Sequence, residues 1–476
     1  MTLKRLTCLL LVAILMLGAL SGCKAKPQKA IALTIGEHEI TAVELNYYYV
    51  EMIDSFYQDY AYIISTMLDV KKPLSQQIFD ETTGQTWADY FLQCSIENAK
   101  STYALCDAAE AAGFTLGQAQ QDSVDLVIDA LKGYAQSAGQ EVDDCMEELY
   151  CKGANVESYR EYYRRNMLAN SYYSYYYSSL EYSNEALFEF DRENMARFNS
   201  YSYALYYLPV SKFASDAEAK AAAERVQAGS YNDAAAFNEA LASLAGQTDA
   251  KATEYTNQLH TTISTDYSDW LSGKERKVGD VGIFPSLKDS VAEGYYLLLY
   301  LGTENNRFRL KNVRHILITP EGGTYNPLTG KTEYSIREMA GAAVQAKAIL
   351  EQWDKFNMPT EDYFASLANQ FSDDGDGSTG GLYENVYPGM ISTAFTDWCY
   401  DEERQPGDVE PIETEYGYHI MYFVGNSTMT YRNYLITAAL RERDTTAWYD
   451  ALLESYTVTE KDLSFVDLDR ALHTNA

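Results

Sequence analysis

Residues 199 to 305 and 310 to 426 of this chain can be laid on each other, and a repeat of that length restricts the fold more than any local propensity does. Both copies must satisfy one spacing of strands and turns. Asp269-Trp270 and Asp397-Trp398 each stand nine residues, counted from the tryptophan, before Gly279-Asp280-Val281 and Gly407-Asp408-Val409. Gly294-Tyr295 and Gly417-Tyr418 each precede a closing strand that ends, at equal distance, at Gly302 or Gly425. Leu205 to Pro209 lies on Ile316 to Pro320 in this alignment. Two copies of one fold in tandem are the expectation.

The chain opens with Lys4-Arg5, an apolar run from Leu9 to Leu20, and then Leu20-Ser21-Gly22-Cys23. A charged start, a short apolar core and small closing residues are the layout of a secretory signal. The run is shorter than the ~20 residues of a spanning helix, although an uncleaved anchor is the alternative. The ending resembles a bacterial lipobox, which implies cleavage after residue 22, a lipid on the Cys23 thiol, and a folded part tethered to the outer face of the cell membrane. Beyond the signal, 35 basic groups face 69 acidic ones. That surplus repels nucleic acid and anionic lipid surfaces alike.

Ile31 to Ile35 and the stretch ending at Ile40 flank Gly36 and read as a small hairpin. Thr41-Ala42-Val43-Glu44 then has capping-box form, and helix-period apolar residues run through Leu68. Helical pattern continues to about Phe198, with glycines as punctuation, and returns from Tyr431 to about Tyr456. Eight tyrosines between Tyr159 and Tyr177 crowd one expected helix; they could line an adaptable peptide groove or simply pack. Five cysteines follow Cys23, with no spacing suited to zinc. Buried thiols are expected, and a Cys145–Cys151 bridge stays open.

The second copy carries the chemistry-bearing residues in this order: Val313-Arg314-His315-Ile316, an alanine-rich helix, Phe371-Ser372-Asp373-Asp374, Gly380-Gly381-Leu382, Pro388-Gly389-Met390, Phe395, Pro411-Ile412-Glu413-Thr414 and Gly417-Tyr418-His419-Ile420. Over about 115 residues this resembles the parvulin family of peptidyl-prolyl cis–trans isomerases. With the lipobox and the helical start, the whole chain resembles PrsA-like foldase lipoproteins, which are related to SurA-type periplasmic chaperones.

That resemblance implies an α+β multidomain chain. Its parts would be a signal peptide at 1–22, a helical chaperone-like domain at 23–198, a degenerate parvulin-like domain at 199–305, a parvulin domain of antiparallel sheet and helices at 310–426, and a C-terminal helical segment at 427–476. It implies catalytic roles for His315, Asp374, Thr414 and His419, and a prolyl pocket of Leu382, Met390, Ile391 and Phe395. The paired histidines could equally serve the fold, and Asp374 could be a loop acid. No glutamate closes an EF-hand after Asp376, so no metal and no cofactor are expected.

Partners would be unfolded secreted polypeptides and, through Cys23, the membrane, with no nucleic acid; the resemblance leaves a homodimer open. Between Pro320 and Glu338 only Lys331 and Arg337 stand against three glutamates, which argues against phosphorylated substrates. In the first copy the alignment puts Ala204 at the place of His315 and Tyr296 at that of His419. An inactive module that binds peptide or spaces the domains is therefore expected. The alternative to an isomerase is a holdase with vestigial prolyl sites.

Overall fold

The computed structural model describes residues 29–244, 249–326, 329–375 and 379–470. The signal segment and Cys23 lie outside the described residues, as does Asp376. The chain divides into two compact units, Met1–Leu180 with Arg441–Ala476, and Glu181–Leu440.

In the first unit the hairpin forms as strands Ile31–Ile35 and His38–Thr41. Thr41 accepts the Glu44 amide at 3.2 Å, starting a helix at Ala42. That helix stops at Tyr60, earlier than the apolar pattern suggests, and a separate short turn covers Ile64–Met67. Tyr47, Tyr48 and Tyr49 are fully buried in its core. The tyrosine-rich helix Val156–Ser179 packs rather than lining an open groove at three of the eight positions, for Tyr159, Tyr162 and Tyr172 are all buried. Tyr47 meets Tyr159 edge-on at 5.2 Å, and Tyr176 stacks on Trp448 at 3.8 Å. Cys145 and Cys151 are unbridged thiols.

The C-terminal stretch is not a segment apart. Val458–Glu460 adds a third strand to the opening hairpin, with Leu33 opposite Glu460. The expected boundary near 198 likewise falls at Leu180, because Phe198 packs with Ile436 and Leu440 inside the second unit.

The second unit holds two four-stranded antiparallel sheets. One runs, in spatial order, Thr253–Leu259, Ser200–Pro209, Val291–Glu304, Val281–Lys288; the other runs Leu382–Val386, Arg309–Ile318, Gly417–Thr430, Val409–Thr414. Numbered by chain order within each copy, both read 2-1-4-3. In each, two helices follow the first strand and cover one face. Ala204, Leu208, Leu297 and Leu299 lie under Asp216–Gln227 and Ala234–Ala242. Ile316, Ile318 and Ile420 lie under Ile336–Lys355 and Glu361–Phe371. The other face packs against a short helix, Ser268–Leu271 in the first sheet and Thr393–Tyr400 in the second.

Candidate functional site: a hydrogen-bonded histidine pair

His315 and His419 come from the two central strands of the second sheet. Met421 stands opposite His315 and Leu317 opposite His419, so directly opposed residues place both imidazoles on one face. Their Nδ1 atoms are 3.0 Å apart, and each residue is only 2% exposed. Thr414, also buried, brings Oγ1 to 2.9 Å from Nε2 of His419 and accepts the Tyr416 amide at 3.2 Å. Asp374 closes the other end, its Oδ2 standing 2.9 Å from Nε2 of His315.

Local sequence explains how a loop acid reaches that spot. After the helix Glu361–Phe371, the Ser372 hydroxyl accepts the Leu317 amide at 3.1 Å, and the Asp373 amide donates to the Leu317 carbonyl at 2.8 Å. Asp373 also accepts the Thr319 amide. The loop is thus stitched to the first strand, which turns Asp374 toward His315. On the far side Gly380 and Gly381 take positive φ, and a Cβ on Gly381 would lie 2.1 Å from the His315 carbonyl oxygen. Only glycine tolerates that close approach.

The two ends decide the proton positions. The nearby His315 holds the Asp374 carboxyl well below the usual carboxylate range, with the Tyr383 hydroxyl adding to the effect against partial burial. With an ionised carboxylate 2.9 Å from Nε2, electrostatics favour the His315 proton on that nitrogen, which leaves Nδ1 to accept. His419 must then donate from Nδ1 and accept at Nε2. The Thr414 hydroxyl gives its proton there rather than to the Gly417 carbonyl 3.4 Å away. Burial above all, and then the neighbouring His315, pushes the His419 pKa down to about 3, against the opposing pull of Asp374 and Glu415. His419 is therefore neutral at physiological pH.

Phe395 is fully buried and meets both imidazoles edge-on, at 5.4 and 5.5 Å. Ile391 packs against the same cluster, whereas Met390 and Tyr416 are exposed. Glu415 pairs with Lys331 at 3.2 Å. Leu382, expected in the pocket, is not there. It stands opposite Arg314, on the helix-covered face, and the site-facing position belongs to Tyr383, opposite Val313. Tyr383 donates to Asp374 Oδ2 at 2.9 Å and meets His315 edge-on at 4.8 Å. Strict alternation along the strand is the signal that would have found it.

Register also corrects the first copy. Leu298 stands opposite Leu205 as Met421 stands opposite His315, so Leu205, not Ala204, holds the place of His315. Ala204 lies on the helix-covered face. Tyr296, opposite Tyr207, does hold the place of His419. Tyr267 lies 6.2 Å from Tyr296. At these two positions the first sheet therefore presents leucine and tyrosine in place of histidines. Among the described residues, two clefts of about 450 and about 430 Å³ lie elsewhere, in the first unit, sharing Phe114, Thr115, Arg164 and Leu168.

Comparison with known proteins bears on this geometry. Residues 315–425 match the family model described as rotamase, PPIC-type PPIase domain. Among solved structures, the PPIase domain of TBPAR42 is 27% identical, with a TM-score of 0.20, covering 24% of this chain and 98% of that one. The peptidylprolyl isomerase PrsA from Bacillus cereus is 22% identical at a TM-score of 0.20, covering 35% of this chain and 59% of that one. The foldase protein PrsA from Lactococcus lactis is 13% identical at 0.20, covering 72% and 91%. No curated protein matches the sequence. By that family model, the chain carries a PPIC-type PPIase domain at residues 315–425.

Proposed function

We propose that this protein is an extracytoplasmic foldase that isomerises X-Pro peptide bonds in unfolded secreted polypeptides and is held at the cell membrane by a lipid on Cys23. The observation that carries the isomerase reading is the continuous chain Asp374–His315–His419–Thr414 lying against Phe395. Rotation about the bond loses amide resonance and meets a barrier of ~18–20 kcal/mol. No nucleophile is needed. A catalyst gains by binding the twisted amide better than either planar form, with an apolar notch for the pyrrolidine ring and fixed charge and dipoles beside the bond. Ile391, backed by the buried Phe395, supplies apolar surface, Asp374 supplies fixed negative charge, and the hydrogen-bonded histidine pair supplies a floor that does not reorganise.

The test is a proline-peptide isomerisation assay on the full chain without its signal. Wild type should accelerate exchange, and Asp374→Ala should lower kcat/KM on the order of 10²-fold. Wild type at the uncatalysed rate would sink the proposal. A second reading, a holdase with a vestigial prolyl site, draws support from the first sheet, where Leu205 and Tyr296 replace the histidines. It expects protection of clients from aggregation that Asp374→Ala leaves intact.

A further inference from the structure

Asp374 sits on a surface loop, yet its carboxylate must face one nitrogen of one ring. Its Oδ1 accepts the Gly375 amide at 3.1 Å, which leaves Oδ2 to be oriented. The imidazole does not do this alone. Nε2 of His315 lies 2.9 Å from Oδ2 but is not aligned for a hydrogen bond, and it is buried with no other partner among the described residues. The aligned donor to Oδ2 is the Tyr383 hydroxyl at 2.9 Å. The Tyr383 ring also stands edge-on to His315, at 4.8 Å and 78°, while Phe395 stands edge-on at 5.4 Å and 86°. His419 stacks on the remaining side, 5.2 Å away at 26°.

We propose that Tyr383 is a positioning residue of the isomerase site: its hydroxyl holds the Asp374 carboxylate against Nε2 of His315, and its ring keeps that imidazole from turning over. This rests on the isomerase reading above. A turn of the His315 ring would replace Nδ1 and Nε2 by carbon atoms and break the contacts with His419 and Asp374 together. Tyr383 thereby selects one proton arrangement for the whole chain from Asp374 to Thr414. A phenol is suited to this, since its apolar body fills space beside a ring while its tip donates to an acid. The position follows from alternation on the edge strand, where Tyr383 and Val313 share the site face.

Two readouts on the full chain without its signal test the proposal. The chain has five histidines, so ¹⁵N-histidine labelling gives a readable long-range spectrum, assigned with His315→Gln and His419→Gln. Wild type should show His315 as a single Nε2–H tautomer and His419 as Nδ1–H. Tyr383→Phe keeps the ring and loses the hydroxyl; it should mix the His315 tautomers and lower kcat on the order of 10-fold with KM little changed. Tyr383→Leu, which loses the ring too, should fall further. A Tyr383→Phe protein with wild-type tautomers and wild-type kcat overturns the proposal. Wild type without isomerase activity overturns the isomerase reading instead, and the tautomer spectra then still decide whether Tyr383 orders the pair.

Discussion

His419 shows how a single buried group can link site and stability. Burial keeps its imidazole neutral in the folded chain, with a pKa of about 3 against an ordinary value of 6.5. The unfolded chain takes up that proton first, so the stabilisation is complete above about pH 6.5 and is lost as pH falls toward 3. Within that window the slope from this group is about 1.4 kcal/mol per pH unit. Urea midpoints of wild type and His419→Gln, read from pH 7 to pH 3, should diverge at high pH and converge at low pH. Parallel curves would contradict the neutral, buried imidazole. Asp374 adds loss in the same direction, below the usual carboxylate range, since its carboxyl is held low in the folded chain. His315, His419, Thr414, Asp374 and Phe395 were all legible as residue types in order, and the structure brings them within contact distance. Tyr383 was not legible that way, because a tyrosine in a chain with 42 of them carries no mark of its own.

At the scale of elements, the decisive property is the period of two along a strand. A slip of one residue exchanges faces. That is why Leu382 gives way to Tyr383 in the second sheet and Ala204 to Leu205 in the first. The alignment of the two copies counts residues from Pro209 and Pro320, whereas the ladder counts from hydrogen-bonded partners across the sheet. The edge strand Leu382–Val386 depends on Gly381, whose carbonyl accepts the His315 amide at 2.9 Å. Gly381→Ala would force a Cβ into the His315 carbonyl at φ 67°, at a cost of about 2 kcal/mol or more. Gly375→Ala is the control, since among the described residues nothing lies within 4 Å of its added Cβ. Thermal midpoints should drop for the first substitution only, and isomerase activity with them. Equal midpoints would show that the strand does not need that approach.

For the molecule as a whole, long-range pairing overrides chain order. The strand Val458–Glu460 belongs with Ile31–Ile35 although some 400 residues separate them. Arg432, in the second unit, hydrogen-bonds Asp191, Asn199 and the Asn305 carbonyl, holding together segments that the sequence spreads over more than a hundred residues. Among the described residues no helix is long and apolar enough to cross a membrane; in the proposed reading the point of attachment is Cys23. Cys23→Ser should abolish labelling by radioactive fatty acid and move the protein from the membrane fraction to the medium or the soluble fraction. Unchanged labelling and fractionation would exclude Cys23 as the anchor point.

The tandem repeat, the order of chemistry-bearing residues and the helix cap at Thr41 were determined by sequence alone, because spacing, residue type and local hydrogen bonding are properties of neighbouring positions. Pairing across distance was decided only in three dimensions. Which face each strand residue takes, which tyrosines are buried, and where the C-terminal strand finds its partner all depend on the register between segments far apart in the chain. Register is set by burying whole faces at once, so no single stretch of sequence contains it.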